Sequence, residues 1–154
     1  MDGGLINFKQ TFRFIFFIRT FRYQILFMFK ISEGITISVE TFYQPEYSNP
    51  LSYEYMFAYR ITIENNNNFP VQLLRRHWFI FDSSGSNQEV EGEGVVGTQP
   101  VIQPNEHFQY VSGCNLRTEI GRMEGIYLMK NLHTNKLFEA KIPAFELFAP
   151  SKSN

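Results

Sequence analysis

The stretch Phe57-Ala58-Tyr59-Arg60-Ile61-Thr62-Ile63-Glu64 places a large apolar residue at every odd position. A period of two marks a strand with one buried face, because successive side chains on a pleated backbone point to opposite sides. The run Asn65 to Asn68 closes this strand, since Asn tolerates the turn and left-handed conformations that a reversal needs. Upstream, Ile35, Ile37 and Val39 alternate with Thr36, Ser38 and Glu40 in the same way. Downstream, a strand is predicted from Val71 through Trp78 to Phe81, ended by the turn signal Asp82-Ser83-Ser84-Gly85. Residues 88–96, 107–112, 122–130 and 137–142 complete a set of seven, with a polar hairpin turn from Asn131 to Asn135 between the last two. No window from Ile35 to Asn154 carries a helical stripe. Seven short strands bounded by turn signals argue an all-β antiparallel sandwich of the immunoglobulin or fibronectin-III-like kind. Trp78, on the third of them, falls where such domains bury a core Trp, although the Cys pair that often packs against it is absent.

Composition agrees. The chain has 154 residues, enough for one domain with a substantial core. Seventeen Phe, eight Tyr and one Trp suit pleated, half-buried surfaces. The net charge of −1 supplies no bulk attraction to nucleic acid or to an anionic membrane. A single cysteine, Cys114, forms neither an intramolecular disulfide nor a zinc site, so a reducing, cytoplasmic location is expected.

The charge is unevenly distributed. Residues 1–34 carry five basic and two acidic groups, and the remaining residues nine basic and thirteen acidic. Phe8 to Lys30 contains eight Phe, with Arg or Lys interrupting its apolar runs, none of which exceeds five residues. That is far short of the ~20 residues that span a bilayer, so no integral membrane segment is expected. Its basic and apolar positions do not separate cleanly onto two helical faces. Three readings stand: upstream sequence or a dispensable tail, of the composition that AT-rich DNA encodes; a targeting or membrane-associating segment; or part of the fold. The expected organisation is an extra segment over 1–30, a domain over 31–148 and a short tail over 149–154, with Met28 placed as a start just before the patterned region.

Several phrases resemble one family in order and spacing: Leu73-Leu74-Arg75-Arg76-His77-Trp78, Gly92-Glu93-Gly94-Val95-Val96-Gly97-Thr98-Gln99-Pro100, Tyr110-Val111-Ser112-Gly113, Gly121-Arg122-Met123-Glu124-Gly125-Ile126-Tyr127-Leu128-Met129 and Ile142-Pro143-Ala144-Phe145-Glu146-Leu147. Over about residues 33–148 the chain resembles ApaG proteins. The resemblance implies an immunoglobulin-like or fibronectin-III-like sandwich, found as small bacterial proteins and as a domain of eukaryotic F-box and polymerase-delta-interacting proteins. It also carries a historical label of cobalt and magnesium efflux, without a defined activity. Thr118-Glu119-Ile120-Gly121 departs from the family's Thr-Pro-x-Gly, which predicts a less rigid loop.

Two groups of residues are candidate sites. Gly92, Gly94 and Gly97 spell GxGxxG, but Pro100 and the turn-like residues after it leave no room for the helix a dinucleotide fold requires. The glycines either shape a bulged strand and a tight loop or present backbone amides to a phosphate or pyrophosphate group. Arg75 and His77 share one face of their strand, and Arg76 shares the other with Leu74 and Trp78. Arg75 and His77 therefore line a surface for an acidic partner or a phosphate, or else Arg76 covers the sheet edge with its aliphatic stem. His77, His107 and His133 are scattered, so neither a metal site nor a cofactor is expected. Cys114 has no neighbouring base in sequence, and no catalytic residue is assigned. The expected function is a non-enzymatic protein-binding module. A phosphate-ligand module at residues 92–97 is the alternative, and an unrecognised hydrolase comes third.

Overall fold

The computed structural model describes residues 28–150. The expected sandwich is what they form. Nine strands follow in chain order: β1 Met28–Ser32, β2 Ile35–Tyr43, β3 Tyr55–Asn65, β4 Val71–Asp82, β5 Asn87–Glu93, β6 Val101–Ile102, β7 His107–Leu116, β8 Ile120–Asn131 and β9 Leu137–Phe148. One antiparallel sheet has the order β1-β2-β3-β7, and the second β5-β4-β8-β9, with β6 paired to the end of β4. Two single-turn 3-10 helices, Pro45–Tyr47 and Pro50–Ser52, lie between β2 and β3. Among the described residues no helix is long and apolar enough to cross a membrane.

The alternation in β2 and β3 becomes cross-strand pairing. Ile37 stands opposite Ile63, Val39 opposite Ile61, and Ile61 in turn opposite Tyr110 of β7. All are buried, and each aliphatic side chain removed from water contributes roughly 1.5–3 kcal/mol. The second sheet meets them through Trp78. Its ring lies edge-on to Tyr59 at 5.6 Å, Phe145 at 6.0 Å and Tyr127 at 6.4 Å between centroids. Tilted and edge-to-face arrangements of this kind suit the ring quadrupoles.

The inward-facing parity changes within two strands of the second sheet, and both changes are structural. The register of β4 against β8 shifts between Leu73 and Arg75, so Val71 and Leu73 are buried before the shift and Trp78, Ile80 and Asp82 after it. A bulge of one residue changes which parity faces inward. It corrects the expected grouping of Leu74 with Trp78: Leu73 takes the core position, and Leu74 is half-buried. In β9 the inward set changes from Ala140 and Ile142 to Phe145 and Leu147, with Pro143 at the irregularity. β9 is an edge strand, where proline's missing amide interrupts no further ladder.

Nine strands replace the seven expected. β6 is two residues long, too short for any periodicity. β1 begins at Met28, so residues 28–30, assigned from composition to the extra segment, pair with Val39, Ser38 and Ile37 of β2. The Lys141 amide donates to the Ser32 hydroxyl at 3.2 Å, linking β1 of one sheet to β9 of the other. The expectation for residues 1–27, and that for 151–154, lie outside the described residues.

Two buried polar side chains fasten the loops. The Asn65 amide donates to the carbonyls of Phe69 (2.8 Å) and Ile102 (3.0 Å), and its Oδ1 accepts from the Asn67 amide (3.0 Å). Asp82 accepts from the Ser84 amide (3.0 Å), the Arg117 amide (2.6 Å) and the Thr118 hydroxyl (2.6 Å). Thr118 is thus held at the end of the loop expected to be less rigid. Burial pushes the Asp82 carboxyl up, but these hydrogen bonds to its ionised form outweigh that effect and hold it below its ordinary 3.8.

Two predictions test this framework. Gly125 stands opposite Trp78, and a Cβ there would lie 2.5 Å from the His77 carbonyl oxygen and 2.9 Å from the Trp78 ring. Gly125→Ala is expected to lower urea stability by about 1–3 kcal/mol, read from the unfolding midpoint at constant slope. The second concerns acid. Because the folded carboxyl of Asp82 titrates below its unfolded value, its contribution is complete at neutral pH and is lost as pH falls through the folded value. Asp82→Asn is expected to cost roughly 1–3 kcal/mol at pH 7 and to flatten the acid limb of a stability–pH profile.

Candidate functional site

β5 leads into the glycine-rich phrase, and no helix follows it. The Val95 amide donates to the Thr98 carbonyl at 2.8 Å and the Thr98 amide returns to Val95 at 3.0 Å. Val96 and Gly97 between them both have positive φ, 43° and 81°, the signature of a tight two-residue hairpin of the primed type. Gly94 has φ 56°, and a Cβ there would meet the Thr98 carbonyl oxygen at 2.0 Å. Its amide donates to the Leu74 carbonyl at 2.8 Å. The amides of Gly94, Val95 and Thr98 are therefore bonded to carbonyls of the protein itself. Gly92 leaves room for another group: a Cβ there would touch the Arg76 guanidinium at 3.0 Å.

Arg76 joins the two motifs. Its Nη1 donates to the carbonyls of Glu93 (3.0 Å) and Gly94 (2.8 Å), so the cation caps the strand end that the glycines shape. Arg76 shares its parity with Trp78, and a cluster of buried phenols lies beyond it. Tyr110 and Tyr127 hydrogen-bond to each other through their hydroxyls. Burial pushes the Tyr59 phenol up to about 12 and those of Tyr110 and Tyr127 well above their ordinary range, while hydrogen bonds from Ser112 to Tyr59 and from Tyr110 to Tyr127, and then the Arg76 charge, act in the opposite direction.

Arg75 and His77 point to the outer face, where they meet the carboxylates of β5. His77 contacts Glu89 through Nε2 at 3.2 Å and Glu91 through Nδ1 at 3.1 Å, and its ring stacks on Phe79 at 4.3 Å. Arg75 lies 4.0 Å from both Glu91 and Glu93. The structure thus brings Gly92 and Gly94 together with Arg76, which was not placed in the candidate set, and leaves Arg75 and His77 under an acidic ladder. Cys114 is buried, and burial, helped by the Asp82 charge, pushes its thiol up to about 12. It is a protonated thiol at neutral pH. Among the described residues no group of three or more His, Cys, Asp or Glu is placed to hold a metal ion.

A feature missed in the sequence reading lies further along the same outer face. A groove of about 620 Å³ opens between β5, β4 and β8, with Phe79, Phe81 and Ile120 among its lining. Phe79 stands between Glu89 and Glu124, and Phe81 between Asn87 and Arg122. Arg122 pairs with Glu124 at 3.0 Å and faces Glu146 across the next ladder. Phe81 and Ile120 are 44% and 47% exposed, so the apolar floor is open to solvent. A signal existed in the sequence: with Trp78 and Ile80 facing inward, Phe79 and Phe81 occupy the solvent parity, where an aromatic pair is unusual.

The hairpin geometry yields a contrast between two glycines. Gly94→Val is expected to destabilise the protein by roughly 2–4 kcal/mol, because the side chain would meet backbone. Gly97→Ala, whose Cβ would meet nothing within 4 Å, should cost only the left-handed strain of about 1–2 kcal/mol. Thermal melts of the two variants check the order.

The arrangement has close counterparts. A family model described as the ApaG domain matches residues 45–131. The chain is 49% identical over 119 residues to Protein ApaG of Methylorubrum populi, spanning 77% of this chain and 91% of that protein. It is 47% identical over 122 residues to Protein ApaG of Brucella anthropi, spanning 79% and 93%. A crystal structure of an ApaA protein from Bordetella pertussis superposes with a TM-score of 0.73 at 43% identity, covering 77% of this chain and 95% of that one. A domain match over more than half the chain, relatives about half identical along most of their length, and a shared two-sheet frame place this chain in the ApaG domain family.

Proposed function

We propose that this chain is a non-catalytic binding module that holds an extended segment of a partner protein in the groove on the outer face of β5, β4 and β8. The observation that carries the reading is the groove's chemistry: an aromatic floor bordered by Glu89, Glu124 and Glu146, with Arg122 as the single cation among its lining residues. Its volume lies in the range of ligand sites. The two charge types leave it net acidic. A segment that alternates Lys or Arg with apolar residues matches it, because cations are attracted both to carboxylates and to aromatic faces while the apolar positions cover Phe81 and Ile120. Exposed ion pairs are individually weak and screened by salt, so binding of this kind is modest and reversible, as befits a regulatory contact. The buried, protonated Cys114 supports a role without nucleophilic chemistry, and an unpaired thiol accords with a reducing, cytoplasmic setting.

A fluorescein-labelled peptide alternating Lys and Leu is the probe. It is expected to bind with micromolar affinity, to weaken by about tenfold on Phe81→Ser or Glu124→Lys, and to weaken further as salt is raised. A peptide with Glu in place of Lys should not bind. Equal binding to wild type and Phe81→Ser, or none to either, would overturn the reading.

A further inference from the structure

We infer that β7 is a docking edge for a second copy of this chain, pairing with its own counterpart in antiparallel fashion to join two first sheets into one. This rests on the sheet edges and is independent of the groove, which lies on the other sheet.

Among the described residues, and apart from the two-residue β6, the sheet order leaves four edge strands, β1 and β7 in one sheet and β5 and β9 in the other. An edge strand presents a row of unpaired backbone donors and acceptors, and native proteins guard such rows with charge, proline, bulges or cover. Three of these four edges are guarded. β1 and β9 lie beside each other, linked by the hydrogen bond from Lys141 to Ser32, and β9 also carries Pro143. β5 displays Glu89, Glu91 and Glu93, whose side chains are 58–79% exposed. Self-pairing there would bring carboxylate against carboxylate.

Among the described residues β7 has none of these devices. Among the described residues it pairs with β3 alone. From Phe108 to Leu116 it contains no charged residue and no proline, and its pairing with β3 runs from His107 to Leu116 without a register shift. Tyr110, Cys114 and Leu116 face the core, while Val111 is 41% exposed on the outer side. A ten-residue strand offers about 34 Å of backbone.

A second copy fits this edge better than an unrelated strand. Two identical edges match in length, and a two-fold axis satisfies both sets of backbone groups at once. With the axis near Val111, Val111 meets its own counterpart, Gln109 meets Gly113 and His107 meets Asn115. No like charges come together.

The test uses the full chain in sedimentation velocity at about 1–100 μM. The expected result is a reversible dimer. Val111→Lys, which sets two ammonium groups face to face, should weaken association by at least about tenfold with an unchanged thermal melt in dilute solution, while Val111→Thr retains the dimer. In parallel, amide hydrogen exchange in wild-type β7 should slow as concentration rises. A wild type monomeric throughout, with β7 exchange independent of concentration, would show the edge free or taken by another strand and would overturn the inference. So would a dimer that Val111→Lys leaves intact.

Discussion

The register shift between Leu73 and Arg75 governs how β4 is used. Before it, Val71 and Leu73 face the core, and after it Trp78, Ile80 and Asp82 do. A regular strand would have to expose either Leu73 or Trp78, at a cost of a few kcal/mol. The extra residue removes that conflict. It also turns Arg76 inward, within reach of the carbonyls of Glu93 and Gly94, and leaves Arg75, His77, Phe79 and Phe81 on the outer face. The core, the anchoring of the glycine-rich hairpin and the lining of the groove all follow from one local irregularity.

Rigidity comes from polar side chains whose partners lie far apart in sequence. Asn65 joins the end of β3 to β6, and Asp82 joins the end of β4 to the turn before β8. Each is buried and accepts or donates several hydrogen bonds, so removing it would leave backbone groups unsatisfied in a dry environment. The paired hydroxyls of Tyr110 and Tyr127 join β7 to β8, side chain to side chain, across the middle of the sandwich. These connections tie loop ends and strands together at points far apart in sequence.

Those surfaces differ in chemistry. The β5 side is acidic and aromatic, with its few cations already facing carboxylates. The β7 side is uncharged over most of its length. The first offers charged and apolar side chains, the second a row of main-chain hydrogen-bonding groups. In the glycine-rich phrase, by contrast, the amides of Gly94, Val95 and Thr98 and the Arg76 cation meet backbone carbonyls of the same chain.

Alternation alone determined the all-β class and the two-sided character of β2 and β3, because a period of two depends only on neighbours in sequence; the burial of Trp78 followed from its place on the third predicted strand of such a sandwich. The five family phrases likewise carry the resemblance to ApaG proteins. What only the tertiary structure decided was everything set by contacts between distant residues. The bulge at Leu74 exists because β4 must match β8 at both ends, and no local pattern reports that. β6 is too short to show a period, and β1 is hidden in a Phe-rich composition that looks foreign to the fold. Arg76 could be assigned to the hairpin only once β5 lay beside β4. The groove needed Phe79, Phe81, Glu124 and Glu146 to arrive on one face from three strands, a convergence created by strand pairing and invisible along the chain.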